Sequence, residues 1–191
     1  MVCRNCAAFE QKLAFHTAPA LLGIKCANLI ALKKSEFDIS ACADEFNKRA
    51  AAKGLKMKQL CECGVRMLVL VYSERLLFKK LNEPESRELL RKYGYTDDMT
   101  LDDCLKKLAD RVAENNGEFP HEVGVFLDYP IEDVVGFIKN NGENFKMCGC
   151  WKVYGNEEMA KRKFENYNKC RKYLCNKLNE GIDIYRALKI S

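Results

Sequence analysis

The chain reads as an α+β (mixed αβ) fold: one mixed sheet of about five strands, including a hairpin, with helices packed on it and a long C-terminal helix. Three observations predict it. Residues 55–60 and 66–72 are β-rich runs flanking the Gly-containing loop CECGV, which is the pattern of a hairpin. Short apolar runs then alternate with stretches of helical period along the rest of the chain. A long helix capped by Asn156 and running to about Leu178 keeps Ala160, Phe164, Tyr167, Leu174 and Leu178 on one stripe.

The elements follow in order. Residues 3–15 form a short helix with Cys6, Phe9 and Leu13 on one face, and HTAP at 16–19 stops it, because the residue before Pro19 avoids helical geometry. Residues 28–32 form a buried strand. Ser35 or Asp38 caps a helix over 38–53 whose Ile39, Cys42, Ala43, Phe46 and Ala50 recur at helical spacing, and Gly54 ends it. After the hairpin, whose nearly all-apolar second strand is central and covered on both faces, residues 74–116 are helical in two or three pieces. Pro84 starts one, the Gly94 region breaks the run, and Thr100 with Asp103 forms a capping box for a helix over 101–115. Residues 122–127 are an apolar strand. Pro130 opens a helix with Glu132 and Asp133 at its positive end, closed by Asn141-Gly142. Residues 146–154 are a strand leading to the final helix. No internal repeat or linker interrupts residues 1–191, which are expected to be a single domain.

The composition bounds the function. The chain has 191 residues, net charge +5, two His and eleven Cys. That basicity falls short of a dedicated nucleic-acid domain. No apolar run reaches the ~20 residues of a membrane span. The start MVCRNCAAFEQK lacks a charged segment followed by an apolar one. Cys-rich without such a leader implies a reducing cytoplasm, no disulfides, and thiols packed as small apolar residues. No G-x-G-x-x-G, Walker-type or G-x-S-x-G pattern occurs.

Three blocks carry a family resemblance: HTAPALLGIKCANLIAL at 16–32, FPHEVGVFLDYPIEDVVGFIK at 119–139, and CGCWKVYGNEEMAKRKFENYNKCR at 148–171. Their order of unusual residues, His16-x-Ala-Pro19, His121-Glu122, Tyr129-Pro130, Gly136-Phe137 and Trp151-Lys-Val-Tyr154, resembles an uncharacterised bacterial family of unknown function from anaerobic Gram-positive organisms. The resemblance covers almost the whole chain and implies no activity, cofactor or catalytic residue. The chain departs from the family pattern at Thr17, Asp128 and Cys150, where Cys, Gly and Tyr are usual.

The densest cluster of special residues lies between 119 and 154. His16 and His121 each sit beside a Pro at an element end, a position suited to a ligand, an acid–base group or a hydrogen-bonded structural imidazole. The leading expectation is a cytoplasmic ligand-binding or regulatory protein whose pocket gathers His16, His121 and the 151–154 strand, with Glu122, Tyr129, Cys148, Lys152 and Tyr154 as further candidates. Metal or haem held by His16 and His121 is its sharpest form. On an extended strand Cys148, Cys150, Lys152 and Tyr154 share one face, and Trp151 points into the core. The rivals are an enzyme using His121 or Cys148 in acid–base or thiol chemistry, and a nucleic-acid or protein-binding module using the basic final helix. The thiol pairs Cys3/Cys6, Cys61/Cys63 and Cys148/Cys150 lack the spacing of a strong zinc site. The expected partner is a small molecule or metal; nucleic acid and membrane are not expected.

Overall fold

In the computed structural model, residues 6–114 and 119–190 are described. Among them the elements run α1 (Cys6–Leu21), β1 (Ala27–Lys33), α2 (Ile39–Ala50), a 3-10 turn (Ala51–Lys53), β2 (Leu55–Cys63), β3 (Arg66–Ser73), α3 (Glu74–Leu81), α4 (Pro84–Arg91), α5 (Leu101–Glu114), α6 (Val123–Phe126), α7 (Ile131–Lys139), β4 (Met147–Cys148), β5 (Lys152–Val153), α8 (Glu157–Asn179) and α9 (Ile184–Ala187). The fold is α+β, as the sequence predicts.

The sheet is smaller than expected. β1, β3 and β2 pair antiparallel in the order β1-β3-β2, and β4 with β5 makes a separate two-stranded hairpin. Among the described residues five strands are present, divided between two sheets and without a parallel pair. β3 is central and buried on both faces. Its Met67, Val69 and Val71 enter one apolar core with residues of α1, α2, α8 and α9. Leu68, Leu70 and Tyr72 enter a second core with residues of α3 to α7. Strand alternation thus makes β3 the wall between two helical layers.

The predicted caps are present. Asp38 accepts from the Ala41 amide at 3.1 Å, and Asn156 from Met159 at 2.9 Å. Thr100 and Asp103 cap each other reciprocally, Thr100 N to Asp103 Oδ2 at 3.0 Å and Asp103 N to Thr100 Oγ1 at 3.2 Å.

Three expectations are corrected. First, α1 runs through Pro19 to Leu21 instead of stopping at HTAP. A proline leaves the carbonyl four residues earlier without a helical donor; here that carbonyl, Phe15 O, accepts from Arg171 Nε of α8 at 2.8 Å. Second, residues 122–127 form the helical turn α6 rather than a strand. A six-residue apolar run does not separate a strand from a buried helix. The turn closes with Asp128 N to Val125 O at 3.0 Å and Tyr129 N to Gly124 O at 2.9 Å around Asp128 at φ 58°, a Schellman-type end. Third, 146–154 is not continuous: Gly149 N donates to Trp151 O at 3.0 Å and folds the segment back on itself.

Cys42 is disulfide-bonded, contrary to the expectation of no disulfides. Cys26, Cys104, Cys148, Cys150, Cys170 and Cys175 are free thiols, of which Cys26, Cys104 and Cys170 are buried. Cys3 and the side chain of Cys63 lie outside the described residues, so the Cys3/Cys6 and Cys61/Cys63 pairs do too, as do residues 3–5 and 115–116 of the expected helices.

Candidate functional site

The site is built where α6, α7 and the β4–β5 hairpin meet. A single carboxylate organises it. Asp133, 2% exposed in the first turn of α7, accepts from the Trp151 indole Nε1 at 2.7 Å, the Tyr154 amide at 2.7 Å and the Gly155 amide at 2.8 Å. Three donors satisfy a buried carboxylate that would otherwise be costly. Its neighbour Glu132 accepts from the Asn156 amide at 3.3 Å. The two acids predicted for the helix N-terminus therefore act mainly as clamps on residues 151–156.

Glycines set the close approaches. A Cβ on Gly136 would lie 2.5 Å from Tyr154, and one on Gly124 would lie 2.8 Å from Val134 Cγ2. The first lets the Tyr154 side chain lie across α7, and the second lets α6 pack on α7.

Trp151 is buried, as expected, in a small third core with Val153, Ala160 and Tyr167. Its ring stacks on Tyr129 with centroids 5.0 Å apart and meets Phe164 edge-on at 4.5 Å. Tyr129 also donates to Cys150 O at 3.4 Å, and burial pushes its phenol up to about 12.

In front of this stack opens a cavity of about 670 Å³. Phe119, Pro120, Val123, Tyr129, Val134, Phe137 and Trp151 supply its apolar wall; His121, Asp133, Asn141 and Lys152 supply its polar groups. The His121 ring packs on Phe137 at 5.5 Å. Lys152 Nζ donates to Gly142 O at 2.6 Å and lies 5.8 Å and 5.0 Å from the Phe137 and Phe145 ring centroids. No carboxylate pairs with it among the described residues.

The candidates named from sequence divide. His121, Tyr129 and Lys152 come together in the cavity wall, and His16, Glu122, Cys148 and Tyr154 are not part of it. His16 is exposed on α1 against Phe15, its pKa lowered by packing and then by Arg171 and Lys12. Glu122 is fully buried and turned away, held by the guanidinium of Arg111 and by Tyr95 OH at 3.4 Å. Cys148 is exposed and faces Lys152 across the hairpin. Tyr154 keeps a buried hydroxyl without a hydrogen-bond partner among the described residues. Among the described residues, no three His, Cys, Asp or Glu side chains converge as a metal set.

Sequence reasoning missed Lys25. It is 4% exposed, and its ammonium lies 5.0 Å from the Tyr129 ring centroid and 5.5 Å from that of Tyr167. Burial lowers its pKa to about 8, with Cys26, Asp128 and Cys150 opposing the shift. A lysine within an otherwise apolar-looking GIKCANLI run carries no periodic signal of burial. Asp133, Phe137 and Asn141 were missed for another reason: only the fold of the hairpin brings them to the cavity.

A family model for a protein family of unknown function, DUF3793, matches residues 13–188. The chain belongs to the DUF3793 family. The DUF3793 match takes in all of the cavity lining, from Phe119 to Lys152. No curated protein and no solved structure matches the chain. Among the described residues, no helix of this DUF3793 chain is long and apolar enough to cross a membrane.

Proposed function

We propose that this DUF3793 protein is a cytoplasmic ligand-binding protein whose cavity takes a flat, largely apolar small molecule bearing one anionic group. The observation that carries the reading is the cavity of about 670 Å³ walled by Tyr129, Phe137 and Trp151, with Lys152 paired to no carboxylate among the described residues. Ligand sites are concave and mostly apolar, with a few placed polar groups. Lys152 supplies the charge, and His121 and Asn141 supply hydrogen bonds. The Asp133 oxygens are already engaged by three donors, so that carboxylate holds the wall rather than the ligand.

Binding is favoured over catalysis because His121 has no hydrogen-bonded acid or base beside it among the described residues. Glu122 is committed to Arg111, and Cys148 lies off the cavity wall. A metal or haem has less support, since one imidazole lines the cavity and His16 is elsewhere. The cytoplasmic location is supported by the free thiols Cys148 and Cys150 on the surface; the Cys42 disulfide weighs against it.

The sole Trp makes the test direct. Titration with 1-anilinonaphthalene-8-sulfonate should quench Trp151 emission saturably. Lys152→Met should weaken that binding about tenfold, equivalent to 1.4 kcal/mol, and Lys139→Met should not. Equal affinity in Lys152→Met, or no saturable quenching, rejects the reading.

A further inference from the structure

We infer that the protein has a second ligand site, a cationic groove for phosphate-bearing amphiphiles, formed where the ends of α1, α3, α8 and α9 meet the start of β2. The groove encloses about 570 Å³. Its apolar lining comes from Leu21, Leu22, Leu55, Leu76 and Leu188, with the exposed Tyr173 ring at one side. Lys53, Arg75 and Lys189 line it as well, each from a different segment of the chain and each exposed.

Charge decides the ligand class. Among the described residues, no Asp or Glu lines the groove. None of the three cations has an ion-pair or hydrogen-bond partner among the described residues. The nearest acid in sequence, Glu74, is engaged by Lys56 at 2.7 Å. Three uncompensated cations above a leucine floor raise a local positive potential. A phosphate dianion meets that potential, and a guanidinium matches its oxygens in pairs. The leucines then accept an alkyl or other apolar body. A purely polar anion would leave that floor wet, and a neutral alkyl group would leave the cations unmatched.

This site shares no lining residue with the cavity in front of Trp151, so the two proposals fail separately. The test uses hexyl phosphate, with hexanol and inorganic phosphate as its two halves, followed by calorimetry or amide chemical shifts on the full chain. Hexyl phosphate should bind at least tenfold more tightly than either half. Arg75→Gln should weaken it about tenfold, and the triple variant Lys53→Gln/Arg75→Gln/Lys189→Gln should abolish it. Lys106→Gln, a surface charge control on α5, and Lys152→Met in the first cavity should bind as the parent does. Vesicles of phosphatidylglycerol that capture the parent but not the triple variant would assign the phosphate to a lipid headgroup. Hexyl phosphate binding without vesicle capture would assign it to a free ligand. The inference is overturned if the triple variant, folded by its far-UV signal, binds like the parent. It is equally overturned if inorganic phosphate matches hexyl phosphate, or if Lys152→Met alone removes binding.

Discussion

Arg171 Nε donates at 2.8 Å to Phe15 O, the one carbonyl of α1 that Pro19 deprives of a helical partner. The guanidinium also lies 4.9 Å from the Phe15 ring centroid. A side chain of α8 thus completes the hydrogen bonding of α1. Arg171→Ala should destabilise the fold by about 1–2 kcal/mol, the range for a charge-assisted hydrogen bond at a partly exposed site. In a Pro19→Ala background, where residue 19 regains its N–H, the same substitution should cost less. Urea midpoints of the four proteins of this cycle decide it; equal cost in both backgrounds refutes the compensation.

Trp151 and Asp133 should behave as one unit. Trp151→Ala should cost about 3–5 kcal/mol through the void it leaves. Asp133→Ala leaves three donors without an acceptor and should cost about 3 kcal/mol or more. The double variant should cost clearly less than the sum of the two, since the indole bond is lost in each. Lys152→Met should leave the thermal midpoint nearly unchanged. Strict additivity at 133 and 151 would show that the indole bond contributes nothing.

Gly136→Ala tests the close approach of Tyr154 to α7. The new methyl must displace the Tyr154 side chain, because its position lies 2.5 Å from the Tyr154 Cβ. Overpacking of this kind costs about 1–3 kcal/mol. Probe binding in the adjacent cavity should weaken along with stability, and Tyr154→Ala in the same chain should recover part of the loss.

Lys25 predicts a pH dependence. Its pKa falls from 10.5 unfolded to about 8 folded, so between those values the unfolded chain binds the proton that the folded chain has released. Stability from this group therefore rises with pH from about 8 to about 10.5, and below 8 the cost of about 3 kcal/mol is present in full. The opposite slope comes from Cys26, Cys104, Cys150 and Cys170, whose pKa values burial raises. The difference between the parent and Lys25→Met isolates the lysine. Lys25→Met should be the more stable protein at pH 7, and its advantage should shrink above pH 8. A constant difference from pH 7 to 10 contradicts the burial of the charge.

Much of the fold was readable because local signals and tertiary need agreed. The β2–β3 hairpin, the Thr100–Asp103 box, the Asn156 cap and the inward Trp151 all rest on residues whose chemistry acts within a few positions. The failures have a common physical source in long-range partners. Pro19 stops a helix unless something 152 residues away serves Phe15 O, and Arg171 does so. Residues 122–127 read as a strand because the run is apolar; Glu122 within it is held by Arg111, and Asp128 takes φ 58°. That backbone angle lies in the left-handed region that glycine adopts without strain. The site was half legible for the same reason: His121, Tyr129 and Lys152 sit on local special residues, whereas Asp133 and Lys25 acquire their roles only through contacts with distant segments.

The hairpin that walls the cavity stands apart from both large cores. Its ladder pairs only Met147 with Val153 and Cys148 with Lys152, and its main polar anchor is the Asp133 carboxylate. Such a segment forms a subglobal unit that opens at a lower free energy than the β1-β3-β2 sheet. The amide hydrogens of Tyr154 and Gly155, both donated to Asp133, therefore act as built-in reporters. Their exchange with solvent will slow when the cavity is filled, while that of β3 stays governed by global unfolding, so occupancy can be read without knowing the natural ligand.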